Sequence, residues 1–84
     1  MKNEWKVVHE MDDENGNPTC WAMQINNRFG KFVWITLNHK NYYDVEVDIN
    51  GEFKTLVTCK SMKSAKRWVT MYIINKEKEQ NDDE

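Results

Sequence analysis

Three observations predict an α+β fold, an antiparallel β-meander of about five strands with one C-terminal amphipathic helix packed on one face. Apolar and polar residues alternate over most of the chain between Trp5 and Cys59, the period of strands with one buried side. Clusters of Asn, Asp, Gly and Pro interrupt that alternation, as turns between consecutive strands would. After Ser61 the period lengthens, and Met62, Ala65, Trp68, Val69, Tyr72 and Ile73 recur at the three- and four-residue steps of one helical stripe. Everything upstream reads as strand, so this helix is the one element long enough to cover the apolar face of a sheet.

The first strand is read from Trp5, Val7, His9 and Met11, which alternate with Lys6, Val8 and Glu10 and stop at Asp12. Asp12 to Pro18 is too polar to pack and forms the loop of a first hairpin. Trp21, Met23 and Ile25 make the inner face of the second strand, and Val33, Ile35 and Leu37 that of the third. A three-residue loop, Arg28-Phe29-Gly30, with Gly30 left-handed, sets Ile25 opposite Val33, Met23 opposite Ile35 and Trp21 opposite Leu37. Asn38 to Asn41 is the next turn, and Tyr43, Val45, Val47 and Ile49 are the inner face of the fourth strand.

Asn50-Gly51 would ordinarily signal a two-residue hairpin turn. That register opposes Val47 to Lys54 and Asp48 to Phe53, which mixes the faces. A three-residue loop from Ile49 to Gly51 instead sets Val47 opposite Phe53, Val45 opposite Thr55, Tyr43 opposite Val57 and Glu46 opposite Lys54. Because a one-residue slip exchanges the faces of a strand, the second register is the expected one. Ser61 is the expected helix N-cap. The core then comprises Trp21, Met23, Val33, Ile35, Val45, Val47, Val57, Ala65, Val69 and Ile73.

A chain of 84 residues supports one core and not two. Residues 1–78 are expected to form a single domain, and 79–84, which lack any apolar residue, an acidic flexible tail. No apolar run approaches the roughly 20 residues of a membrane span, and the charged start Met-Lys-Asn-Glu-Trp-Lys is unlike a signal peptide. The reading is cytoplasmic, with Cys20 and Cys59 as thiols. The net charge of -2 conceals a segregation of sign: Lys60, Lys63, Lys66 and Arg67 fall in a stretch without acids, whereas Asp12, Asp13, Glu14 and Asp82, Asp83, Glu84 are uncompensated locally.

Nothing in the pattern marks an enzyme. His9, Cys20, His39 and Cys59 are scattered singly, without the close pairs of a zinc site, and Gly16, Gly30 and Gly51 stand alone in turns instead of cradling a phosphate. Neither metal nor cofactor is expected. Two surfaces remain as candidates. One is the start of the helix, where Lys60, Ser61, Lys63, Lys66 and Arg67 have the wrong sign for the helix dipole and could meet an anion together with free backbone N–H groups. The bland reading of the same residues is a solvated helix face. The other surface is the sheet face away from the helix. Alternation sends Phe32, Trp34 and Tyr42 there, with Val8 and Leu56 also falling on that side, among Asp44, Glu46 and Asp48. Its bland reading is a sheet twisted enough for the rings to pack on one another.

A tryptophan-led first strand, further short strands and a Ser-x-x-x-Ala-Lys-x-Trp helix at Ser61, Ala65, Lys66 and Trp68 resemble small uncharacterised bacterial and phage proteins, a resemblance that implies no activity. The order of strands and helix also resembles the single-strand-binding transcriptional coactivator fold, which implies a dimer with DNA on the sheet. The acidic fourth strand departs from that pattern. The expected function is therefore a non-enzymatic protein-interaction module, as in a small phage or mobile-element factor acting on a host protein. Its partner is an unidentified protein or a second copy, with no membrane. Single-stranded DNA or RNA, bound by the basic helix start and the sheet aromatics, is the alternative.

Overall fold

The computed structural model describes residues 4–27, 30–49 and 51–81. Its strands are β1 (Lys6–Val7), β2 (Cys20–Asn27), β3 (Gly30–Leu37), β4 (Tyr43–Ile49) and β5 (Glu52–Cys59), followed by the helix α1 (Met62–Asn81). They pair antiparallel in the order β1-β2-β3-β4-β5, the meander that the alternation predicts. The helix packs on one face of this sheet, over β3, β4 and β5. Among the described residues no helix is long and apolar enough to cross a membrane.

The core is the meeting of two periodicities. Val33, Ile35, Val45 and Val47 point to one side of β3 and β4, and Ala65, Val69 and Ile73 form the facing stripe of α1. Val33, Ile35, Val45 and Ala65 are 0 % exposed, which leaves β-branched side chains interlocked under a small helix residue that permits close approach. Met23 and Ile25 of β2 complete this buried cluster. Trp21 and Val57, expected in the core, are half-buried and pack against the cluster. Trp21 leans on Tyr43 with ring centroids 6.2 Å apart.

The first strand is shorter than the alternation suggests. After Val7 the chain enters a 3-10 turn at His9–Met11, which leaves His9 exposed and Met11 52 % exposed, where the sequence pointed both inward. Local bonds win here: the Met11 N–H donates to the Val8 carbonyl, the Asp12 N–H to that of His9, and the Thr19 hydroxyl to that of Met11. The loop beyond closes around Asp13, whose Oδ1 accepts the N–H groups of Asn15 at 2.9 Å and Asn17 at 2.8 Å. Gly16 supplies the positive φ of 82° that this turn requires.

The β2–β3 register differs from the expected one by two residues: Met23 opposes Val33 and Trp21 opposes Ile35. A slip of two keeps every side chain on its face, so alternation alone could not detect it. The ladder shifts at an irregularity between Gln24 and Asn27, and Asn27 opposes Gly30; Arg28 and Phe29, on which the three-residue loop rested, lie outside the described residues. The β3–β4 turn is as read. The Asn38 Oδ1 accepts the N–H groups of Lys40 and Tyr42, and Asn41 adopts φ 65°, a left-handed conformation that asparagine tolerates.

The β4–β5 hairpin corrects the sequence reading. Ile49 opposes Glu52, Asp48 opposes Phe53 and Val47 opposes Lys54, the register that the face argument rejected. The faces are reconciled further along by a bulge: Glu46 opposes Thr55, Val45 opposes Val57, and Leu56 is the extra residue between them. Leu56 therefore packs with the core cluster and not on the open face, while Val57 returns to the covered side. Gly51 has φ 84° and donates its N–H to Asp48 Oδ1 at 3.1 Å, so the turn keeps its glycine chemistry.

Ser61 caps α1 as expected, its hydroxyl oxygen accepting the Ser64 N–H at 3.1 Å. The helix runs on through residues 79–81, where the sequence placed the start of an acidic tail. Residues 82–84 lie outside the described part of the chain.

Candidate interaction surface

Strand pairing assigns the face away from α1 residue by residue. One row across it reads Lys6, Ala22, Trp34, Glu46 and Thr55; the next, toward the β4–β5 turn, has Gln24 and Phe32 on one side and Asp48 and Phe53 on the other. Cys20, Thr36, Asp44 and Thr58 form a third row at the opposite end. Because these residues alternate with the buried valines and isoleucines, the sheet itself separates them from the helix.

The rings on this face touch one another. Phe32 and Trp34 lie 5.7 Å apart between centroids, and Trp34 and Phe53 lie 4.8 Å apart at 60°. That geometry is the tilted packing aromatic side chains prefer. The rings do pack together, as the bland reading held, yet the cluster stays partly open to solvent, with Phe32 37 % and Phe53 66 % exposed and Trp34 half-buried. Phe53 is the residue sequence reasoning missed. The rejected register sends it to this face, and the Asn50-Gly51 dipeptide was the signal that could have found it. Tyr42, also exposed, stands at the β3–β4 turn just before the start of β4 and makes no ring contact with Trp34 among the described residues.

The acidic residues beside the rings are held by neutral donors. Asp44 Oδ1 accepts bonds from Thr58 at 2.6 Å and from Asn38 at 3.2 Å. Glu46 accepts longer ones, from Thr36 at 3.5 Å and from Thr55 at 3.4 Å. The contact between His9 Nδ1 and Asp12 Oδ2, at 3.2 Å, lies elsewhere. The face thus combines exposed aromatic area with carboxylates whose charge no described cation neutralises.

Lys60, Ser61, Lys63, Lys66 and Arg67 are all exposed at the start of α1, whose first turn has no acidic residue. The sheet lies between α1 and the ring cluster, so the structure does not assemble these cations and Trp34 or Phe32 into one site. The Ser61 hydroxyl is already engaged with the Ser64 N–H and hydroxyl. Cys20 and Cys59 are free thiols on opposite faces of the sheet. Among the described residues no group of three or more His, Cys, Asp or Glu is placed to hold a metal ion.

No protein-family model, curated protein or solved structure matches this chain.

Proposed function

We propose that this protein is a non-enzymatic interaction module that recruits another protein through the sheet face opposite α1. The observation that carries the reading is the contiguous cluster of Phe32, Trp34 and Phe53, whose rings touch one another and stay partly open to solvent. Aromatic residues of this kind dominate interface energetics when a partner desolvates them. Asp44, Glu46 and Asp48 beside them oppose a phosphate backbone, which ranks nucleic acid below protein. They also oppose a face-to-face second copy, which would set like charges against one another. The free thiols Cys20 and Cys59 fit a reducing, cytoplasmic setting.

Affinity capture from cells with three forms of the full chain tests the reading. Trp34→Ala is expected to remove the captured partner, and Lys63→Glu to leave it in place, because rim and remote charges contribute little to affinity. Loss with Lys63→Glu and retention with Trp34→Ala would overturn the proposal and move the site to the basic start of α1.

A further inference from the structure

The open face has a chemistry more specific than its apolar area. Trp34 lies directly across the strands from Glu46, and Phe53 across from Asp48, so each of the two rings in closest contact has a carboxylate beside it. Glu46 is less committed than Asp44, two residues before it on β4. Its two hydroxyl contacts are 3.5 and 3.4 Å long, against 2.6 Å for the bond from Thr58 to Asp44. A carboxylate has about four acceptor positions, so Glu46 retains capacity toward solvent. The cation of its own row, Lys6, stands on β1 beyond Ala22, and no ion pair joins it to Glu46.

A ring face next to a carboxylate with spare acceptor capacity is complementary to a planar cation. We propose that the face binds an arginine-bearing segment of another protein, with the guanidinium stacked on Trp34 and hydrogen-bonded to Glu46. This rests on the docking-face reading above. Guanidinium can stack on an aromatic plane and donate in parallel to a carboxylate at the same time, whereas a lysine ammonium is a compact, strongly hydrated charge that does neither as well. Tryptophan is the strongest of the aromatic partners for a cation. Phe53, exposed beside Trp34, supplies apolar area for the residue flanking the arginine.

The test uses the full chain and short synthetic peptides that alternate leucine with arginine, with lysine or with glutamine, titrated by calorimetry at low salt. The arginine peptide is expected to bind about fivefold more tightly than the lysine peptide, the span of one exposed cation–π contact with a charge-assisted bond. The glutamine peptide should be weaker still. Glu46→Gln should remove most of the advantage of the arginine peptide over the glutamine peptide. Trp34→Leu, which keeps apolar bulk but removes the ring, should also narrow the gap between the arginine and glutamine peptides and serves if Glu46→Gln does not fold. Equal binding of the arginine and glutamine peptides, or an arginine advantage that survives both substitutions, overturns the guanidinium proposal. If Trp34→Ala still abolishes partner capture in that case, the docking face stands; if it does not, both fall.

Discussion

The two faces of the same sheet are built from alternate residues of the same strands, yet they carry opposite chemistry. On the side of α1, Val33, Ile35, Val45 and Val47 are sealed against Ala65 and Val69, and among the described residues no polar side chain is buried. On the other side, Phe32, Trp34 and Phe53 lie among threonines and carboxylates, with no element packed over them among the described residues. The covered face has its apolar area removed from water by folding itself, which is what stabilises the domain. The open face still exposes apolar area after folding is complete. Stability accounts for the first face; the second is the one to which we assign the proposed partner.

The difference can be measured by substituting neighbours. Ile35→Ala is expected to cost about 2–5 kcal/mol, because it opens a cavity where nothing can collapse, whereas Thr36→Ala, one residue on, should cost under about 1 kcal/mol. Urea unfolding followed by circular dichroism reads both, and equal losses would mean that the open face is structurally as important as the covered one. Gly51→Ala should cost about 1–2 kcal/mol. A Cβ at Gly51 meets nothing within 4 Å, so the whole effect comes from the φ of 84° in the turn that sends Phe53 to the open side.

Phe53→Ala sharpens the comparison most directly. On the open face the ring contributes its contact with Trp34, and about 0.5–1.5 kcal/mol should be lost; in the register that alternation favours, Phe53 would be core and the loss about 3–5 kcal/mol. The same unfolding assay separates the two values. The smallest effect belongs to neither face. The Asp13 carboxyl is held below its ordinary value of 3.8, chiefly by the Asn17 backbone N–H and with help from that of Asn15. A depressed folded value means that the loop's contribution is complete above the unfolded value and is lost as pH falls through the folded one. Acid titration of the unfolding midpoint should therefore show a small low-pH decline that Asp13→Asn abolishes.

How much of the candidate site could be read from the sequence follows from the same geometry. Phe32, Trp34, Asp44 and Glu46 were legible because β3 and β4 run without interruption through them, so a period of two assigns their side directly. Phe53 was not, because alternation along β5 is broken at Leu56, and a face argument that assumes an unbroken ladder must place either Phe53 or Val57 wrongly. The same limit explains β2 and β3: a shift of two residues leaves both faces unchanged, and only the turn and the irregularity after Gln24 choose between the registers. His9 and Met11 were misread for a different reason, since a few local hydrogen bonds in the 3-10 turn outweigh a short run of alternation at a sheet edge.

Sequence by itself determined the strand order of a meander, the single covering helix with its cap at Ser61, and the parity that sends valines to one face and Trp34 to the other. Short turns between consecutive strands leave little choice of neighbour, and periodicity is a local property of the chain. Only the tertiary structure decided that Phe53 joins Trp34, that Leu56 leaves the open face for the core, and that the basic helix start and the aromatic cluster lie on opposite sides of the sheet. Those outcomes depend on where a ladder absorbs an extra residue and on which side a helix folds back, and both are settled by the packing of distant residues against one another.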